Sequence, residues 1–413
     1  MNWDEFAHWG AHISEWSAQY HKTLRDRPVR PQTAFGDTAA QLPHPRFFAY
    51  FPANAAPPSM LAEQLVNTVA AQCMLWQTSP AATEVETVMV DWLRQALGLA
   101  DGYVGVIQDS ASSATLSAVL TMRERATGAT CGYIASDQVH SSIDRACWVA
   151  GIGQANLVKI PTTGDRYGMD VNALRAAITK DRAAGHTPAG IIAITGGTGI
   201  GACDTLGPIL QVARDENLYT HLDAAWAGAA MICPELQADF WADVDGFDSI
   251  VFNPHKWLGA HHSSTRSRSN LNTSRRQAES VTNYSEWTIP LGRRFRALKI
   301  WFLIRSYGLE GLRTRIRNHI TWAGELCEEI RKMDGFEIVT DPIFSLFSFR
   351  CPGNDADQQR LVDALNDDGR IYLTQGSFGG RKIIRFQVGQ FDTTRDDVMT
   401  ARSVIQEVWE KIQ

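Results

Sequence analysis

The chain has seven cysteines but no CxxC pair; they are scattered from Cys73 to Cys351. That spacing encodes neither a zinc cluster nor a disulfide framework, and an odd count suits reduced thiols. No apolar run reaches about 18 residues, so no membrane span is expected. The opening MNWDEFAHWG has no basic or apolar leader region, and a soluble, cytoplasmic protein is expected. Excess positive charge is missing too: 39 basic residues stand against 45 acidic ones, a net −6. This balance argues against a general nucleic-acid-binding surface. GxSxG, the elbow of many serine hydrolases, is absent. The stretch TGGTGIG at 195–201 does not space its glycines as GxGxxG, and no YxxxK pair exists. A nicotinamide enzyme is set aside on those grounds.

What is present is a globular texture. Hydrophobic residues make up 44% and charged residues 20% of 413, enough for two or three packed domains and too apolar for wholesale disorder. Residues 2–22 repeat Trp3, Phe6, Trp9, Ile13, Trp16 and Tyr20 at helical spacing. That aromatic face needs a surface, either in the same subunit or in a second one. His8 and His12 lie one turn apart on it, but no third ligand is near, so no metal is expected. Residues 26–58 are rich in proline and alanine around PRFFAYFP. Beyond residue 61, short apolar strands alternate with helical patterns. Strands are expected at 103–108, 132–136, 156–160, 190–196, 218–224 and 248–253, with helices at 111–126, 170–184 and 205–216. The alternation predicts a largely parallel α/β sheet. Helices are expected at 292–307 and 309–333, followed by an α+β pattern with strands FEIVT, FSLFSFR, IYLTQ and KIIRFQVG. The Arg/Ser-rich stretch 261–276 reads as a mobile loop.

Three strand ends carry polar residues. Asp223 ends YTHLD, Asn253, His255 and Lys256 follow IVF, and His140 follows GYIAS. In open α/β sheets, ligands bind at the carboxyl ends of strands. Singly, each residue has a plainer reading as a solvated lysine, a turn aspartate or a satisfied histidine. Together they match pyridoxal phosphate (PLP) chemistry. A lysine amine forms a Schiff base, a carboxylate holds the ring nitrogen protonated, and an imidazole stacks on the ring. Ser110–Ser113 open the helix after VIQ, where backbone N–H groups suit a phosphate.

The motifs NPHKWLG, HLDAAWAG, SDQVHSSIDRA, HPRFFAYFP, SPAATEVETVMVDWL and WTIPLGRRFRALKIWFLIRSYG together resemble the group II PLP-dependent decarboxylases. Their aromatic-L-amino-acid decarboxylase branch is the nearest in pattern. The resemblance implies a fold type I PLP-dependent transferase architecture. Its parts are an N-terminal dimerisation arm at 1–56, a large PLP-binding α/β domain at 57–298 with a mainly parallel seven-stranded sheet, and a small C-terminal α+β domain at 299–413. It implies Lys256 as the Schiff-base lysine, Asp223 as the ring-nitrogen partner, and His140 and Ala225 on the two ring faces. Ala111, Ser112, Asn253 and His255 match phosphate contacts, and Thr198 a hydroxyl beside the cofactor. Leu291 and Gly292 match contacts given by the other subunit of a homodimer. Tyr50, Phe51, Pro52 and Met74, with His140, match the substrate pocket.

The implied reaction is decarboxylation of an aromatic amino acid of the tryptophan, tyrosine, phenylalanine or dopa class to its amine and CO2, through a quinonoid. Several segments depart from the family pattern. No tyrosine lies between Lys256 and Tyr284, where the family carries a loop tyrosine. The apolar strand after HKWLG is replaced by HHSSTRSRS, which is expected to weaken the sheet edge. Leu42 stands where the family has a pocket tryptophan, and the segment at 127–133 looks shortened. Two alternatives follow: oxidative deamination to an aldehyde, or a PLP-binding homologue of impaired catalysis.

Overall fold

The computed structural model describes residues 3–26, 44–126, 131–260, 264–269 and 281–413. Leu42, residues 127–130 and the flanks of the Arg/Ser stretch lie outside the described residues. The helices are α1 (Trp3–Lys22), α2 (Pro57–Val69), α3 (Pro80–Ala96), α4 (Ala111–Arg125), α5 (Ser141–Val149), α6 (Val171–Ala183), α7 (Leu206–Glu216), α8 (Pro234–Phe240), α9 (Ala297–Arg331), α10 (Asp355–Asp368) and α11 (Arg395–Ile412). The strands of the large sheet are β1 (Tyr103–Gln108), β2 (Cys131–Ser136), β3 (Leu157–Ile160), β4 (Thr187–Ile194), β5 (Tyr219–Asp223), β6 (Ser249–Phe252) and β7 (Ser264–Ser269). Four more follow: β8 (Glu337–Ile343), β9 (Leu346–Arg350), β10 (Thr374–Phe378) and β11 (Arg381–Gln387).

The seven-stranded sheet runs β1-β7-β6-β5-β4-β2-β3. Pairs from β6 through β3 are parallel. Side-chain alternation divides its core in two. Ile134, Ile191 and Ala193 face Leu174 and Ile178 of α6 and Ile209 and Leu210 of α7. Their neighbours Tyr133, Ala135 and Ile192 face Val119 and Met122 of α4 and Ile143 and Ala146 of α5. A sheet covered on both faces needs near-continuous apolar strands, which explains the fully buried run of β6.

The Arg/Ser stretch corrects one expectation. Residues 264–269 form β7, which pairs antiparallel with β1 on one side and β6 on the other. It is an interior strand, neither a mobile loop nor a weakened edge. Backbone groups paired on both sides satisfy the ladder whatever the side chains. The helix expected from residue 292 starts at Ala297. Before it, the buried Arg293 instead pairs with Glu86 at 2.5 Å and donates to the carbonyls of Cys73 and Ile107.

The second sheet, β8-β9-β11-β10, is antiparallel. Its core joins Phe347, Phe349 and Phe386 with Ala323, Leu326 and Ile330 of α9, Leu361 and Leu365 of α10, and Val404 and Ile405 of α11. Phe48, from the HPRFFAYFP segment, is buried in the same core. Helix α9 therefore serves both cores, since Ile300, Leu303, Leu312 and Ile316 belong to the large one. Gly308 interrupts it at φ 63°, a left-handed conformation that glycine adopts without a Cβ penalty. On α1, Tyr20 is buried while Ile13 and Trp16 are exposed.

Candidate active site

A cavity of about 340 Å³ opens where the parallel strands end. Strand-to-helix junctions of the large sheet place its polar floor. Asp223 is the last residue of β5, and its carboxylate accepts the Ala225 N–H at 3.0 Å. His140 sits between β2 and α5 and caps that helix. Its Nδ1 accepts the Ser142 N–H at 3.1 Å and lies 2.9 Å from the Ser142 hydroxyl. Ser110 caps α4 by accepting the Ser113 N–H, so the first turn, with Ala111 and Ser112, faces the cavity. Thr198 lies in a tight loop after β4, in which the Gly196 and Gly197 N–H groups both donate to Ala202 O.

Lys256 occupies a π-turn, Pro254–Leu258, directly after β6. Burial drives its amine pKa down, and the Asp223 carboxylate opposes that. Its Nζ lies 5.3 Å from the centre of the Phe51 ring. His140 is also lowered, chiefly by burial, and the Lys256 charge adds to this while Asp223 acts against it. Phe51 stacks on Trp226 at 4.3 Å, and Trp226 stacks on Trp257 at 5.1 Å. The cavity thus has an aromatic wall backed by a second aromatic layer.

Of the residues expected from sequence, Tyr50, Phe51, Ala111, Ser112, His140, Thr198, Asp223, Ala225, Asn253, His255 and Lys256 line this one cavity. Pro52, Met74, Leu291 and Gly292 do not. Pro52 is buried, and Met74 is half-buried. Leu291 is 63% exposed, and Gly292 lines a separate open hollow with Val66, Gln72 and Arg293.

Sequence reasoning missed Trp226, Ser142 and Arg385. Arg385 comes from β11, only 5% exposed, with Nη1 on Ala49 O at 3.3 Å. Its Nε and Nη2 have no hydrogen-bond partner among the described residues. Burial pulls it down to about 10, so it stays charged at neutral pH. The signal was an arginine inside the apolar run KIIRF, because a buried charge without a counter-charge marks a ligand site. Asn253 Oδ1 is likewise buried without a partner among the described residues. A buried lysine, a carboxylate, a helix N-terminus and unpaired polar atoms around one aromatic cavity fit a flat phosphorylated carbonyl cofactor. Among the described residues no cluster suits a metal ion, and no helix is long and apolar enough to cross a membrane.

Known proteins resemble this chain along nearly its whole length. The chain is 32% identical to aromatic-L-amino-acid decarboxylase of Sus scrofa, over 94% of this chain and 93% of that one. It is also 32% identical to phenylacetaldehyde synthase of Arabidopsis thaliana, over 98% and 96%. The crystal structure of Oryza sativa TDC with PLP and tryptamine superposes with a TM-score of 0.93 at 27% identity, covering 100% of this chain and 99% of that one. Residues 38–352 match the pyridoxal-dependent decarboxylase conserved domain, and the chain belongs to that family of PLP-dependent carboxy-lyases.

Proposed function

We propose that this enzyme decarboxylates an aromatic L-amino acid to its amine, with Lys256 carrying the cofactor, and that it works as a homodimer. The observation that carries the reading is the cavity itself: Lys256, Asp223 and His140 share it with the Phe51–Trp226 stack. The likeness to aromatic-L-amino-acid decarboxylase supports the same substrate class.

PLP, when bound, supplies a carbonyl that condenses with an amine and a conjugated ring that accepts the electron pair left by CO2. The chain's own groups do the rest. The lowered pKa of Lys256 raises its unprotonated, nucleophilic fraction. Asp223, whose carboxylate accepts the Ala225 N–H, would hold a proton on the ring nitrogen of the bound cofactor. Nδ1 of His140 accepts a backbone N–H, so the neutral imidazole carries its proton on Nε2. Ala111 and Ser112 at the start of α4, with Thr198, Asn253 and His255, would hold the phosphate and the ring rim. Arg385, with two nitrogens unpartnered among the described residues, is suited to a substrate carboxylate and would fix the bond to be broken against the ring. The aromatic wall takes the side chain and excludes water.

The dimer proposal rests on unpartnered apolar surface. Leu61, Leu65 and Val69 follow one stripe of α2 and are exposed, as are Ile289 and Leu291. A second copy covering this face would bring Leu291 and Gly292 to its neighbour's site. Light scattering tests it, and an active monomer would refute it.

One feature supports a second outcome. The chain has no tyrosine between Lys256 and Tyr284. Tyr284 is committed elsewhere, with its hydroxyl 2.9 Å from Thr87 and Arg293 over its ring. Without the loop tyrosine of the family pattern to protonate the carbon that loses CO2, oxidative deamination would consume O2 and water and release aldehyde, CO2, ammonia and peroxide. Alternatively, turnover would be impaired altogether. A product assay with tryptophan, tyrosine, phenylalanine, dopa, glutamate and histidine decides. Amine and CO2 from the aromatic substrates support the main reading. Aldehyde and peroxide select the oxidative one, and a preference for glutamate or histidine refutes the substrate class.

A further inference from the structure

The turn that carries Lys256 has an unusual problem. The N–H groups of Gly259 and Ala260 both close onto Pro254 O, and the chain then leaves without continuing as a helix. Among the described residues, the carbonyls that follow have no donors within the turn itself. Two other segments supply them. The backbone N–H of Asn54 donates to His255 O at 2.7 Å, and its side-chain amide donates to Lys256 O at 2.5 Å. The Ala56 N–H takes Gly259 O at 2.9 Å. The two carbonyls between them, Trp257 O and Leu258 O, both accept Nη2 of Arg315, at 2.6 and 2.9 Å.

Arg315 lies on α9, fifty-nine positions beyond the lysine (315 − 256). Its Cζ sits 3.8 Å from the centre of the Phe391 ring, in the segment after β11. The Phe391 N–H donates to Asn54 Oδ1 at 2.9 Å, which closes a loop of contacts around the turn. One helical turn further along α9, His319 Nδ1 accepts the indole N–H of Trp257 at 3.0 Å. Gly259 has φ 92°, and a Cβ there would come within 2.3 Å of Phe391, so the ring closes directly on the end of the turn. Nε and Nη1 of Arg315 have no partner among the described residues. Burial pulls its pKa down to about 9, which still leaves it charged at neutral pH. Keeping a buried guanidinium that satisfies two carbonyls and stacks on one ring is costly for stability alone, since apolar packing would serve at least as well.

We infer that Arg315 is a positioning residue for Lys256. Its guanidinium fixes the backbone of the lysine turn from α9 and couples that turn to Phe391. The inference rests on Lys256 being the cofactor-bearing residue.

The test uses the full-length holoenzyme. Borohydride fixation on the native protein comes first. Label on a peptide without Lys256 would overturn the proposed function and leave nothing to position. With label on Lys256, Arg315→Leu, Arg315→Lys and Arg317→Leu are compared. Arg317 lies two residues on and pairs with Glu235 at the surface, so its variant is the control and stays native. Arg315→Leu is expected to bind cofactor stoichiometrically and to lose at least about half of the visible circular dichroism per bound cofactor. Its kcat should drop roughly ten- to a hundredfold with KM within about twofold, the scale of a misplaced reacting group. Arg315→Lys should lie between. A purely structural arginine would lower Tm and leave the dichroism per cofactor and kcat of the folded protein unchanged, which overturns the inference. Should Arg315→Leu not accumulate, Arg315→Lys decides alone. A graded loss supports the role, and native dichroism with native kcat overturns it.

Discussion

The Ser142 N–H donates to Nδ1 of His140 at 3.1 Å, and this one bond sets the tautomer of the imidazole facing the cavity. A backbone N–H has no acceptor capacity, so Nδ1 is bare and Nε2 holds the proton whenever the ring is neutral. Burial favours that neutral form. His140→Asn is expected to retain cofactor and lose roughly a hundredfold or more in kcat. In the native enzyme, the pH–rate limb from His140 should lie below 6.5, with activity held above it and lost as the ring charges. Steady-state rates from pH 5 to 8 on both proteins check this.

Asp223 offers the cavity a buried carboxylate whose orientation the Ala225 N–H fixes. Asp223→Asn keeps the shape and removes the charge. We expect cofactor affinity to fall and kcat to drop by about two to three orders of magnitude, the scale of a lost preorganised electrostatic partner. Asp223→Glu, which keeps the charge on a longer arm, should recover part of the rate. Cofactor titration by absorbance and single-turnover rates separate the two effects.

Arg385 keeps two guanidinium nitrogens without partners among the described residues at the cavity wall. Arg385→Leu is expected to reduce kcat/KM about ten- to a hundredfold, the range for a hydrogen bond to a charged group. The corresponding amine product, which lacks the carboxylate, should inhibit native and variant enzymes equally. Product inhibition constants for both enzymes read this directly.

His44 is buried in the HPRFFAYFP segment, and burial chiefly, with help from Arg46, lowers its pKa from 6.5 to about 4. The folded state therefore binds fewer protons than the unfolded chain across that interval. Its contribution is complete above pH 6.5 and is lost as pH falls toward 4, an effect of about 3 kcal/mol. His44→Gln should flatten the pH dependence of Tm between these limits. Thermal unfolding at half-unit pH steps measures it.

Much of this was legible in the chain because the relevant information is local. β1, β5 and β6 lie within a residue of their expected bounds, since buried parallel strands read as short apolar runs between turns. Lys256, Asp223 and His140 were visible as polar residues closing such runs. Arg385 and Trp226 were not, because their approach to Lys256 is set by packing of elements far apart in the chain. Arg315 hides differently. RTRIR offers three arginines at alternate positions, and only the buried stripe Leu312, Ile316 and His319 of the folded helix shows that the middle one points inward. The strand 264–269 was misread because its composition is that of a loop. Its neighbours on both sides, not its side chains, make it a strand.

Helix α9 contributes Ile300, Leu303, Leu312 and Ile316 to one core and Ala323, Leu326 and Ile330 to the other. Any cut of the gene within Ala297–Arg331 leaves apolar faces bare on the fragments. Neither piece is then a soluble reagent on its own, and neither core can be exchanged with a homologue by simple recombination at this helix. Crossovers that respect the fold must carry the whole helix with both of its partners.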